Sequence, residues 1–175
     1  MNRRTILRLL TCLALVVPLQ WSPKLEAQNS CQPVFDAITK VVTTPSHSYT
    51  TQSAATGNPR STETIYTANK IYARVNGKWM DSSLKPSDVL AQEKENRQHT
   101  KASCQVVRSE VVGTEAATLY SMHSENEDTK TDAQMWISKS TGLPLREETD
   151  ISDVGSAEKR HASTRYEYSN VKAPI

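Results

Sequence analysis

Four histidines, His47, His99, His123 and His161, are the side chains best suited to proton transfer or metal binding near neutral pH. None stands at ligand spacing from a second histidine or a cysteine, so each reads as a polar surface residue. Carboxylates cluster at Glu125-Asn126-Glu127-Asp128 and again over residues 150–153. Neither run has the spaced acids and glycine of a calcium loop, and both read as solvated turns. Glu147, Glu148 and Asp150 do not alternate as a paired-acid site would, and they read as the wet face of a strand. There is no nucleophile elbow or glycine-rich phosphate loop, and with only five glycines little backbone can approach a phosphate. The expectation is a protein that is not an enzyme and needs neither metal nor cofactor.

What remains is chemistry of enclosure. Tyr66, Trp79, Tyr120, Tyr166 and Tyr168, with Met122, Met135, Ile137 and Leu145, are candidates for the wall of an apolar ligand site. Ordinary sheet core is the competing reading of the aromatics. Cys31 and Cys104 are the other reactive pair. In an exported chain they are expected to form a disulfide, and two free thiols or a reactive Cys31 are the alternative.

Export is read from residues 1–27. Arg3, Arg4 and Arg8 form a positive start, and residues 9–19 an apolar core of signal-peptide length. Ala27 suits the position before a cut. A membrane anchor is the rival reading, opposed by Pro18 and the short core. The paired arginines leave both general and twin-arginine export open. Without the leader, the basic and acidic totals fall from 21 and 19 to 17 and 18. The apparent basicity therefore belongs to the leader. Nothing points to nucleic acid, no later segment is apolar enough to span a bilayer, and residues 28–175 make one domain by length.

The elements that must position these side chains are mostly strands. Residues 31–43 carry Val34, Ile38 and Val41 at helical spacing, with Pro33 in the first turn and Pro45 as the stop. Residues 86–98 form a second helix, thin in apolar residues, that would lie across a sheet edge or opening. Strands are predicted over 46–55, 62–67, 70–75, 78–80, 103–112, 115–124, 131–138, 143–151 and 163–170. The tetrapeptide 56–59, Ala68-Asn69 and Asn76-Gly77 supply turns. Alternation sets Ala133, Met135 and Ile137 against Gln134, Trp136 and Ser138, and Thr164, Tyr166 and Tyr168 against Arg165 and Glu167. It also sets Ala116, Thr118, Tyr120 and Met122 against Ala117, Leu119, Ser121 and His123, and places Leu143, Leu145, Glu147, Thr149 and Ile151 on one face. One apolar and one polar face suit an antiparallel sheet wetted on one side. So few bulky residues suggest a sheet curled around incompletely filled space.

The run Trp136-Ile137-Ser138-Lys139-Ser140-Thr141-Gly142-Leu143-Pro144-Leu145-Arg146 reads as strand, turn, strand. Together with Tyr166-Glu167-Tyr168-Ser169-Asn170-Val171 it resembles the lipoprotein-carrier (LolA-like) superfamily of periplasmic proteins. The likeness is specific over about residues 131–171. It implies an α+β fold, mainly β with two helices: a strongly curved antiparallel sheet forming an incomplete barrel, its open side plugged by helices. It further implies a periplasmic, monomeric carrier whose concave face holds a hydrophobic small molecule or acyl chain, with envelope proteins as possible partners. A structural or protein-interaction module of the cell envelope is the alternative function.

Overall fold

The computed structural model describes residues 23–54 and 58–174. The core of the expected leader, and part of the expected turn at 56–59, lie outside them. Two helices and nine strands follow in order: α1 (Pro23–Thr43), β1 (Ser46–Ala54), β2 (Arg60–Tyr66), β3 (Ile71–Val75), β4 (Lys78–Asp81), α2 (Pro86–His99), β5 (Lys101–Val112), β6 (Glu115–Glu125), β7 (Thr129–Ser138), β8 (Pro144–Asp153) and β9 (Lys159–Glu167).

All nine strands belong to one antiparallel sheet in the order β4-β3-β2-β1-β9-β8-β7-β6-β5. It is a curved sheet that does not close into a barrel, since β4 and β5 remain edges. The helix α2 leaves one edge strand and enters the other. Two meanders, β1 to β4 and β5 to β9, are joined only by the pairing of β1 with β9. The turns are those the residues favour. Asn76 and Gly77 both take positive φ between β3 and β4. At β6–β7, the Asn126 side-chain oxygen accepts from the backbone N–H of Asp128 (2.9 Å) and of Thr129 (2.7 Å). This acidic turn is fixed by its asparagine.

Three boundaries differ from the sequence reading by three residues or more. The helix α1 begins at Pro23 rather than residue 31, because nothing between Lys24 and Gln32 breaks a helix, and Pro33 lies in its interior rather than in its first turn. The strand β9 begins at Lys159. Its charged start is held across the sheet by Arg160 to Asp153 and His161 to Asp150, both at 2.8 Å. It ends at Glu167, short of Asn170, which takes φ 58°.

The core lies where α1 covers the sheet. Val34 and Ala37, both fully buried, meet Met135 and Ile137 of β7, with Ile38, Cys104, Tyr120 and Met122 around them. Cys31 of α1 is bonded to Cys104 of β5, with Cα atoms 4.9 Å apart. This pins the helix to an edge strand.

The opposite, outer face is less uniformly polar than alternation suggested. Ala117 and Leu119, fully buried, pack there with Trp136, Val112 and Leu145. A bulge explains why Leu145 joins them. Trp136 pairs with Arg146 but Ile137 pairs with Pro144, so Leu145 is an extra residue and turns to the Trp136 side. The expected common face of Leu145 and Glu147 is broken there. The Arg146 guanidinium then lies 5.0 Å from the Trp136 ring centre, and the Trp136 indole donates to Glu110.

The β7–β8 turn carries its own test. Gly142 sits at φ 68°, where a methyl group would come within 2.5 Å of the Lys40 Nζ. That ammonium donates to Thr141 O at 2.7 Å, tying the end of α1 to the turn. Gly142→Ala should cost about 1–2 kcal/mol, through left-handed backbone strain and displacement of Lys40. Urea unfolding measures the cost, and an unchanged midpoint would contradict it.

Candidate functional site

The site is built from the sheet upward. Pairing of Met135 with Tyr120 and Glu147, and of Glu147 with Thr164, sets these residues and Tyr166 on the face that α1 covers. The last turns of α1 bring Ile38, Val41 and Val42 over them, because these positions fall on one helical stripe. Pro86 is buried at the first turn of α2, and Val89, one turn on, completes the wall. The result is a crevice of about 250 Å³ lined by Ile38, Val41, Val42, Tyr66, Val89, Met135, Pro144, Glu147 and Tyr166.

Polarity within the crevice is concentrated at one point. Tyr166 donates its hydroxyl to Glu147 Oε2 at 2.8 Å, and Thr149 donates to Oε1 at 3.1 Å. Both carboxylate oxygens are thus engaged from the protein. Burial, then the neighbouring Glu147 charge, pushes the Tyr166 phenol well above its ordinary range, and burial raises Tyr66 as well. Both phenols stay neutral at any physiological pH, so the crevice carries at most one negative charge.

The structure brings Tyr66, Met135 and Tyr166 into this crevice. It sets Tyr120, Met122 and Ile137 beside it, in contact with α1. Tyr168 follows the end of β9, stacks 6.5 Å from Tyr166 and donates to Pro144 O at 2.6 Å, forming a rim. Trp79 and Leu145 are not brought in. Trp79 pairs with Arg74 on the outer face, its ring 5.8 Å from that of His47, and Leu145 is in the Trp136 cluster. The sequence reading missed Ile38, Val41, Val42, Val89, Pro144 and Glu147 as site residues. The apolar helical stripe was the signal that could have found the first three.

Two further depressions are larger and more polar. One of about 620 Å³ lies on the other flank of α1, lined by Phe35, Ile38, Arg97 and Met122 among others. Arg97 of α2 closes it by lying 4.5 Å from the Phe35 ring centre and pairing with Glu93 at 3.2 Å. The other, about 610 Å³, is on the outer face between His123, Asp132, Glu148, Asp150 and His161. The apolar crevice is the better site for a ligand. The outer depression is open, and its charged groups already pair with one another, His123 with Asp132 at 2.8 Å and His161 with both Asp150 and Glu148.

The outer histidine gives a pH prediction. The hydrogen bond that His161 donates to Asp150 raises its pKa above the ordinary value; partial desolvation opposes this, and the charges of Asp150 and Glu148 add to it. Any stability this contact supplies is fully present below about pH 6.5, the unfolded-state value, and is lost as pH rises through the folded-state value. Asp150→Asn should lower the His161 titration midpoint in NMR. A wild-type midpoint at or below about 6.5 would refute the pairing.

No protein-family model matches the sequence, and no curated protein matches it. Among similar solved structures, LprF from Mycobacterium bovis is 11% identical, with 85% of this chain and 95% of that one covered and a TM-score of 0.40. MucB, solved in complex with MucA(peri), is 12% identical over 83% of this chain, at a TM-score of 0.45. This chain spans 57% of the MucB chain. The LolA superfamily protein NE2245 from Nitrosomonas europaea is 8% identical over 79% of this chain and 91% of its own, at a TM-score of 0.23. At these identities and TM-scores the likeness assigns neither a family nor a role. The architecture that the sequence resemblance to the lipoprotein-carrier superfamily implied, one curved antiparallel sheet with helices over one side, is the one this chain adopts.

Proposed function

We propose that this protein is an exported, non-catalytic binder of a hydrophobic ligand of the acyl-chain kind, held between α1, α2 and the sheet. The observation that carries the reading is the crevice itself. Most of its lining side chains are aliphatic or aromatic, and its one carboxylate is already satisfied by Tyr166 and Thr149. Such a lining rewards burial of an alkyl chain and offers little to a polar substrate. At about 250 Å³ it lies just under the usual range for small-molecule sites, about 300–1,000 Å³, so it suits one slender chain. A larger guest requires α1 to shift. The charged leader and the bonded Cys31–Cys104 pair support export to an oxidising compartment such as the periplasm. Among the described residues no helix is long and apolar enough to cross a membrane.

The test is binding of a fluorescent long-chain fatty acid to delipidated protein. Wild type should bind, and Met135→Trp, which fills the crevice, should weaken binding at least about tenfold, a loss near 1.4 kcal/mol. Absence of binding by wild type, or equal binding by the variant, refutes the proposal.

A second reading, an envelope interaction module without a ligand, is favoured by one observation. The helix α1 itself occupies most of the covered face, with Val34 and Ala37 fully buried against Met135 and Ile137. Cross-linking in cells separates the two readings: a carrier traps lipid, a module traps a fixed protein partner.

A further inference from the structure

The free edge of β5 is unusual for an exposed strand. Of the large apolar side chains exposed among the described residues, Val106 (62%), Val107 (44%) and Val111 (67%) all lie on it. An edge strand of twelve residues presents unpaired backbone groups to solvent, and exposed valines make that edge adhesive. The first part of the edge is accounted for, since Cys104 is bonded to α1 and Ala102 borders α2. From Val106 onward, β5 pairs with no strand but β6 among the described residues, and Trp136 of β7 reaches Glu110 and Val112 only across the outer face.

Its sequence states what would fit. Residues 106–112 read Val-Val-Arg-Ser-Glu-Val-Val, symmetric about Ser109 except that the charges on either side are opposite. Two such strands laid antiparallel about a two-fold axis at Ser109 place Arg108 across from Glu110 of the second copy, twice. Val107 then lies across from Val111 at each end, and the contact stops there, because the bulge leaves Val106 on the helix-covered face and Val112 on the outer one. Arg108 and Glu110 pair with Leu119 and Ala117 of β6, so both point to the outer face, where the two ion pairs would form side by side. Within one chain Arg108 already donates to Glu110 at 2.7 Å, and the other Glu110 oxygen accepts from Trp136, so the dimer adds a partner to each head on its exposed side. A two-fold interface must be complementary to itself, and opposite charges directly across an antiparallel pair favour it.

We propose that two copies of this chain pair through β5, residues 107–111 antiparallel to residues 107–111, with Ser109 on the two-fold axis. The two sheets become one continuous sheet. This goes beyond the ligand reading and departs from the expected monomer. The register shift between Val106 and Arg108 marks one end of the regular edge and keeps the contact short. The dimer is therefore concentration-dependent, and because its charges are exposed it weakens with salt.

Sedimentation velocity over a concentration series tests this, with circular dichroism confirming that each variant is folded. Wild type should dimerise, more weakly at high salt. Arg108→Glu and Val111→Lys should each be monomeric, while Arg108→Glu combined with Glu110→Arg should regain the dimer. Ser109→Cys should give a covalent dimer on mild oxidation, and Ser103→Cys should not. Wild type that stays monomeric up to about 1 mM overturns the proposal, as does a dimer indifferent to both Arg108→Glu and Val111→Lys. So does growth beyond a dimer, which is the mark of a β4-to-β5 contact that never closes.

Discussion

Replacing Cys31 and Cys104 together by serine should lower unfolding free energy by about 4 kcal/mol, the largest single loss expected in this protein. The bond closes a loop of sequence separation 73, so the reduced unfolded chain gains much freedom. The folded chain loses something too. The helix α1 is held to the sheet by few side chains, chiefly Val34 and Ala37 on Met135 and Ile137, with Lys40 reaching Thr141 O at its far end. Cys31 is the anchor near its middle. Urea unfolding of the double variant against wild type measures the effect. A loss below about 1 kcal/mol would mean that packing alone seats the helix and that the loop adds little.

Leu119→Ala should cost about 3–4 kcal/mol, although Leu119 lies on the sheet face opposite the helices. It is fully buried between Ala117 and Trp136, with Val112 and Leu145 beside it, and the strands around it leave little room to collapse into the gap. Val106→Ala, a comparable apolar truncation at a side chain 62% exposed, should change little in the monomer. Comparing the two midpoints, with Trp136 fluorescence as the probe, separates a real second core from mere surface cover. Equal, small effects would deny that core.

Much of the architecture could be read from local residue chemistry, because turns and alternation are local. Asn76-Gly77, the Gly142 turn, Pro86 at a helix start and the two faces of β6, β7 and β9 all follow from short stretches of chain. The Cys31–Cys104 bond followed from the expected compartment. What eluded that reading depends on distant partners. Leu119 alternates onto the nominally wet face, and only the bulge that adds Leu145 to Trp136 makes that position interior. Lys159, Arg160 and His161 look like turn residues until β8 supplies Asp153 and Asp150 opposite them. Trp79 has the composition of a ligand wall, yet the pairing of β4 with β3 sends it to the other side. For the crevice, Tyr66, Met135 and Tyr166 were legible as candidates on sheet faces. Val89 and Glu147 were not, since neither carries its role until α2 and β9 close over them.

The seam between the first strand and the last has a consequence for how the molecule is made. Residue 47 lies against residue 167, so β1 gains its second neighbour, and the first meander its tie to the second, only once residue 167 has emerged. Joining ends so far apart costs entropy, although that cost grows only logarithmically with the length between them. The later meander, β5 to β9, links neighbours through short turns and can assemble by itself. A chain delivered amino end first thus holds β1 to β4 in waiting, and β9 acts as the clasp that ends the wait.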